Sequence, residues 1–316
     1  MSGKHLGPQI VPADAAGIAT AAARIVAGEA VAVPTETVYG LAARADSPEA
    51  VAAIYAAKGR PGFNPLIVHV PDLASAEAIA MFDDRARLLA AKFWPGPLTL
   101  VLPLRDDPRI APAVTAGLPT IALRSPAHPV MRAVLEASGL PLAAPSANRS
   151  GGVSPTSAAH VAQSLAGQIA MVLDGGDCPA GLESTIVALR ADGSWQQLRP
   201  GPVTHEDLVH LLGGEAEADL ARGIEAPGQL ASHYAPGKPL RLDASAAHAD
   251  EFLIGFGAIE GHFNLSASSD LAEAAARLYA ALHQAAAAPQ PRIAVAGLPQ
   301  SGLGAAINDR LRRAAA

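Results

Sequence analysis

The sequence predicts an α/β protein in two parts, a larger unit built on an open, helix-covered sheet and a small α/β unit at the C-terminal end. Three observations lead there. Short runs rich in Val, Ile and Leu alternate with alanine-rich stretches of helical period, several runs are apolar on both faces, and Pro (27) or Gly (29) punctuates the boundaries.

The first helix is expected from Asp14 to Ala27, where Ile18, Ala22, Ile25 and Val26 share a face and Asp14 supplies the cap. AVAVP, ending at Pro34, is too short for a helix and reads as a buried strand, with PTETVYG turning out of it. Ser47 and Pro48 open the next helix as cap and first residue, and Gly59 ends it. Lys58 therefore stands at a helix C-terminus, where the dipole favours a cation.

PLIVHV at 65–70 reads as a strand, followed by helices at 73–81 and 84–93. Further strands are expected at 98–103, 119–124, 141–146, 169–174 and 184–190, with a helix capped by Ser154 and begun by Pro155 before the last two. A helix at 205–213 closes a first unit spanning 10–213, of a size one core supports. Residues 214–239 read as a connector. The second unit, 240–316, holds strands EFLIGF and RIAVAG, a helix from Asp270 and a terminal helix, and is small enough to lean on the first.

Composition narrows the function. Half of the 316 residues are hydrophobic, so the chain folds around a substantial core. A formal charge of -6 with 23 Lys plus Arg argues against an electrostatic nucleic-acid binder, and 4% aromatic residues leave no stacking platform. Cys178, the lone cysteine, excludes an intramolecular disulfide and a cysteine-rich metal site. The N-terminal MSGKHLGPQIVP has no signal-peptide apolar stretch and no run reads as a membrane span, so the expectation is a cytoplasmic protein.

The chemistry concentrates in a few segments. In KGRPGFN, Lys58 offers a point charge and Arg60 a rigid fork for an anion, although there is no Walker A spacing and a solvated surface also accommodates such a pair. Thr35 and Thr37 flank Glu36 just after a buried strand, where ligand sites of open α/β folds lie, and Glu36 is placed to pair with an arginine. Ser146, Asn148, Ser150 and Ser154 occupy a glycine-containing loop before a helix start, which suits a phosphate or an ordinary capped turn. Arg124, ending PTIALR, can clamp a carboxylate at the sheet's C-terminal edge or pair with an internal acid. His69 inside a strand fits a hydrogen-bonded core residue, and no second ligand at metal spacing accompanies it. Ser184 lacks a nucleophile elbow, Arg199 suits a phosphate or a turn, and Tyr234 in HYAP either covers a ligand or anchors the connector.

Taken in order, PTETVYGLA, KGRPGFNPLIVHV, FWPGPLTLVL, LPTIALRSPAHP, PLAAPSANRSGG, LESTIVAL, LRPG and HYAP closely resemble the Sua5/YrdC family in its two-domain form, and the likeness continues through FNLSASSDLAEAAARLYAALH and SGLGAAINDRLRRAA. The resemblance implies a YrdC-like twisted open sheet with flanking helices plus a C-terminal Sua5 domain. It implies synthesis of L-threonylcarbamoyladenylate and pyrophosphate from L-threonine, bicarbonate or carbon dioxide, and ATP with Mg2+ held by the phosphates. The product serves partner proteins that modify adenosine 37 of tRNA, with no stable tRNA binding by the chain itself. The family signature falls on Lys58, Arg60, Ser146 and Asn148. By resemblance these engage the nucleotide, Lys58 and Arg60 catalytically, with Asn64, Thr120, Ser154 and Arg199 completing the pocket and Tyr234 covering it. Thr35, His69, Arg124, Ala144 and Ser184 match positions that hold threonine, Arg124 taking its carboxylate.

An RNA-binding module, a scaffold with a structural nucleotide, and another carbamoyl- or acyl-adenylate enzyme are the competing readings; the acidic balance and the absence of a basic tract count against the first.

Overall fold

The computed structural model describes residues 7–214, 223–229 and 232–316. Chain order is β1 (Gln9–Pro12), α1 (Ala15–Val26), β2 (Val31–Val33), β3 (Gly40–Arg44), α2 (Pro48–Lys58), β4 (Ile67–His69), α3 (Leu73–Glu77), α4 (Asp84–Phe93), β5 (Leu98–Pro103), α5 (Pro112–Thr115), β6 (Thr120–Arg124) and α6 (Pro129–Ser138). There follow β7 (Leu142–Ala143), α7 (Ala158–Ser164), β8 (Met171–Asp174), β9 (Thr185–Leu189), β10 (Trp195–Arg199) and α8 (His205–Leu212). The last segment carries β11 (Leu240–Arg241), β12 (Glu251–Gly255), β13 (Phe263–Asn264), α9 (Leu271–Ala287), β14 (Arg292–Val295) and α10 (Leu303–Ala315).

Local chemistry sets many of these boundaries. The Asp14 carboxylate accepts from Gly17 N at the start of α1, and Ser47 accepts from Ala50 N at the start of α2, satisfying otherwise orphaned amides. Gly59 ends α2 in the left-handed conformation (φ 59°), which costs a residue without Cβ little. One cap differs from expectation. α7 is capped by Ser157, which accepts from His160 N, while the Pro155 carbonyl is taken by Tyr39 N, so Ser154 and Pro155 stay in the loop.

Among the described residues a 10-stranded sheet runs β1-β8-β2-β3-β7-β4-β6-β5-β9-β10, and a second sheet of four parallel strands runs β11-β14-β12-β13. The large sheet is mixed: β2, β3, β7 and β4 pair antiparallel in turn, β4 and β6 parallel. Strand alternation divides the core. Leu41, Ala43, Val68, Leu100 and Leu123 face one cluster with α2 and α4, while Val31, Val33 and Ala42 face α1 and α6 on the other side. A third group, Ile67, Val101, Ala122, Ile186 and Ala188, meets no helix and is covered by Ala226 of the connector.

The second sheet buries its apolar face with α9 and α10, and that core reaches across to Val38, Val153 and Leu182 of the first unit. The contact is close at Gly181 (φ 66°), where a Cβ would meet Ala276 Cα at 2.4 Å. The connector expected over 214–239 lies partly outside the described residues. Its described part docks on the first unit, with Ala235 N donating to Gly151 O (2.9 Å). β3, β10 and three other short strands were not expected: GLAAR is rich in Ala, and WQQLR is polar.

Candidate active site

The functional residues gather on the face of the large sheet that carries Ile67 and Ala122, at strand ends: His69, Arg124 and Arg199 close β4, β6 and β10, and Thr35 follows β2, as the sequence placed Thr35 and Arg124. Register explains this. His69 pairs with Arg124 and Ile67 with Ala122 in β4 and β6, and Ala144 N donates to Ile67 O at 3.1 Å, so Ile67, His69, Arg124 and Ala144 all border one cavity. Among the described residues the apolar cluster on this face holds no helical residue and includes Ala226 of the connector. The connector roofs the cavity with Pro227, Gly228, His233 and Tyr234.

The turn after β2 forms one wall. Thr35 Oγ1 donates to Val38 O (2.7 Å) and accepts from Val38 N (3.2 Å), while its hydroxyl shares a 2.8 Å hydrogen bond with Thr37. Arg124 is held by three contacts from two segments: Nε donates to Gly96 O (3.1 Å), Nη1 donates to Thr37 Oγ1 (2.9 Å), and Nη2 lies 2.6 Å from Glu36 Oε1. Burial pulls the Glu36 carboxyl upward, but Arg124 outweighs it and keeps it below the ordinary value. Burial, reinforced by the Arg124 charge, lowers His69 to about 3, so its ring is neutral at pH 7.

A cationic wall stands opposite. Lys58, at the end of α2, donates through Nζ to the carbonyls of Ser146 and Asn148, tying the loop to the helix. Arg60 donates to Asn64 O (3.1 Å), Asn64 Oδ1 (2.6 Å) and Pro65 O (2.8 Å). Arg199, at the end of β10, donates to Ser184 O (3.0 Å) and Ser184 Oγ (3.1 Å). All three cations are buried, and their hydrogen bonds go to neutral oxygens. Burial together with repulsion from Arg60 pushes Lys58 well below the usual lysine value, and burial lowers Arg60 to about 10. An anion placed between them would reverse both shifts.

Several buried polar atoms of residues lining this cavity have no hydrogen-bond partner within the protein: His69 Nδ1, Glu183 Oε1, His233 Nδ1 and the Tyr234 hydroxyl. Buried polar atoms are ordinarily bonded, so such a cluster marks where a polar ligand belongs. The residues do not fit a resident metal. Among the described residues no group of three metal-ligating side chains forms, and Glu36 and Glu183 are committed to Arg124 and Arg310.

Of the residues picked from sequence, Thr35, Arg60, His69, Arg124, Ala144, Ser146, Ser184, Arg199 and Tyr234 line the cavity. Lys58, Asn64, Asn148 and Ser154 stand behind it, positioning Ser146, Arg60 and the loop. Thr120 does not reach it. It begins β6 opposite Pro103, roughly 13 Å along the strand from Arg124. Ser184 shares a 2.7 Å hydrogen bond with Thr99 and accepts from Arg199, which gives it no general base. His233, Glu183 and Gly228 also line the site and were not picked; His233 and Glu183 directly precede chosen residues.

Fold and site together define a two-domain α/β protein with a buried cationic cavity roofed by the chain between its domains. Residues 23–201 match the Sua5, YciO and YrdC family, described as telomere recombination, and residues 203–316 match the family described as threonylcarbamoyl-AMP synthase, C-terminal domain. The threonylcarbamoyl-AMP synthase of Bacillus subtilis is 40% identical over 94% of this chain and 92% of its own, and that of Pyrococcus abyssi is 38% identical over 94% and 93%. The structure of P. abyssi Sua5 complexed with L-threonine superimposes with a TM-score of 0.88, at 35% identity, covering 97% of each chain. YciO of Escherichia coli, at 21% identity and TM-score 0.53, shares the fold of the first unit over 61% of this chain and 96% of its own. The chain belongs to the Sua5/YrdC family and is an enzyme of the nucleotidyltransferase type. Among the described residues no helix is long and apolar enough to cross a membrane.

Proposed function

We propose that this enzyme makes L-threonylcarbamoyladenylate and pyrophosphate from L-threonine, bicarbonate or carbon dioxide, and ATP, and that the product supplies cytoplasmic partner proteins that modify adenosine 37 of tRNA. The observation that carries the reading is the pair of buried cations lining the cavity, Arg60 and Arg199, with Lys58 behind them, all with hydrogen bonds to neutral oxygens, sharing the cavity with a separate arginine, Arg124, held beside two threonines. Polyphosphate satisfies the first group and an amino-acid carboxylate the second. The names of the relatives, and the L-threonine bound by the P. abyssi protein, support this division.

In this reading Arg124 takes the threonine carboxylate, with Thr35, His69, Ala144 and Ser184 shaping the surrounding pocket. The neutral amine attacks carbon dioxide, which bicarbonate yields by losing hydroxide, and the nitrogen releases one proton to solvent as the carbamate forms. A carbamate oxygen then attacks the α-phosphorus and pyrophosphate leaves. Negative charge shifts toward the leaving phosphates, where Lys58 and Arg60 stabilise the transition state more than the bound ATP. ATP would carry Mg2+ as part of the substrate, supplying partial charge neutralisation with no ligand from the protein. Asn64, Asn148 and Ser154 keep the cations and loop in place, and Ser146 and Arg199 contact the nucleotide. Tyr234, buried with its hydroxyl unpartnered, closes the cavity so that the labile carbamate and adenylate are kept from water.

The test is mass spectrometry of a short incubation with ATP, Mg2+, L-threonine and labelled bicarbonate, with each component omitted in turn. Labelled threonylcarbamoyl-adenylate and pyrophosphate are expected only in the complete mixture. ATP binding without product, across a panel of amino acids, would refute the proposal.

A further inference from the structure

Among the described residues the most deeply buried cation lies outside the chemistry described so far. Arg310, on α10 of the second unit, has no exposed surface. Its Nε donates to Glu183 Oε2 (2.8 Å) and its Nη2 to Pro200 O (2.9 Å), so one guanidinium grips the residues next to Ser184 and Arg199. The Tyr279 hydroxyl, from α9, donates to the same Glu183 oxygen at 2.7 Å, and the Tyr234 ring lies 5.4 Å from the guanidinium carbon. Two elements of the second unit and the connector thus converge on a single carboxylate at the wall of the cavity.

We infer that Arg310 serves as the counter-ion of Glu183 and thereby leaves the Arg199 guanidinium free for the nucleotide, which makes the second unit an electrostatic part of the active site. The inference rests on the ATP reading above. Glu183 is buried and charged, a state that requires a cation. Burial raises its pKa, but Arg310 and then Arg199, with help from the Ser154 hydroxyl, bring it to about 2. Arg199 is therefore within the field of Glu183, yet its own hydrogen bonds go to Ser184 and it forms no ion pair with the carboxylate. Arg310 holds two carboxylates, Glu183 through Nε (2.8 Å) and the less buried Asp309 through Nη1 (2.7 Å), and Asp309 is shared with Arg313; of the buried arginines Arg310 and Arg199, geometry gives Glu183 to Arg310. Without Arg310, Glu183 would be an unpaired buried anion and would draw Arg199 out of the cavity. Arg310 is a positioning residue because it touches neither substrate.

The role separates from simple packing, because removing the Glu183 charge abolishes the need for Arg310. The experiment uses the full chain and measures ATP binding by calorimetry in the presence of Mg2+, together with KM for ATP and for L-threonine. Arg310→Met is expected to weaken ATP binding and raise its KM by about tenfold, the loss of one charge-assisted contact, with the L-threonine KM unchanged. Glu183→Gln combined with Arg310→Met is expected to recover most of that loss, a non-additivity that only a shared charge produces. Should Arg310→Met fail to fold, Tyr279→Phe carries the test. It removes only the hydroxyl on Glu183 Oε2, and its smaller loss of ATP affinity is likewise recovered by adding Glu183→Gln. ATP binding unaffected by the single variant, or equally weak in the single and double variants, would overturn the inference. A wild-type chain that binds no ATP would overturn the proposed function itself, and this inference with it.

Discussion

Glu36→Gln isolates the anion requirement of Arg124. The pair is 2.6 Å apart, with side-chain exposures of 4% for Arg124 and 12% for Glu36. The glutamine is nearly isosteric, so the change removes charge and leaves packing alone. Removing one partner of a buried pair costs about 3–5 kcal/mol, and the lower figure applies here because Arg124 keeps its bonds to Gly96 O and Thr37 Oγ1. At roughly 2 °C per kcal/mol for a chain of this size, the melting temperature should fall by about 6 °C without ligand. L-threonine reverses the argument. Its carboxylate then becomes the only anion at Arg124, so the variant should bind it about tenfold more tightly and gain more stability from it than the wild type does. Scanning calorimetry at pH 7, with and without L-threonine and with L-threoninamide as a control lacking the carboxylate, reads both effects. A variant that melts with the wild type, or an equal gain from L-threonine in both proteins, would refute the assignment of Arg124.

Two further outcomes follow from the cationic wall and from the buried histidine. Lys58→Ala should lower turnover at saturating substrates by about a hundredfold, the scale for losing one transition-state donor, as well as weakening ATP binding; unchanged turnover in a steady-state assay would place Lys58 in binding alone. His69 has a folded pKa of about 3 against an ordinary 6.5, so its contribution to stability is complete above pH 6.5 and declines as pH falls toward 3. His69→Gln should therefore flatten the acid side of the stability profile over that window, by an amount on the order of a few kcal/mol, and a denaturation series showing the same slope in both proteins would exclude a neutral buried His69.

Legibility in the sequence tracked how local the physics was. Asp14, Ser47 and Gly59 end helices through contacts within three or four residues, and the structure has each at its expected post. Ser154 failed as a cap although Ser-Pro is a good helix opening, because Tyr39, distant in sequence, claims the Pro155 carbonyl and Ser157 offers an alternative cap. GLAAR forms a strand only because β2 and β7 flank it on either side. Thr120 and Arg124 belong to one quoted motif, yet a strand separates its ends by too great a length for both to meet one small cavity.

By itself the sequence determined the alternation of strands and helices, the family, and the residue types gathered for chemistry: a lysine and an arginine flanking a glycine, a loop of small polar residues, an arginine ending a strand. All are encoded in short stretches, where propensity, capping and motif act over a few residues. Only the tertiary structure decided that these residues share a sheet face beneath the connector, because face and depth depend on register between strands distant in the chain. It also decided how charge is allotted. Asp309 beside Arg310 is a local partner the sequence offers, but nothing near Arg310 points to Glu183, and the two meet because packing the second unit on Leu182 buries both and leaves Arg310 as the cation paired with Glu183.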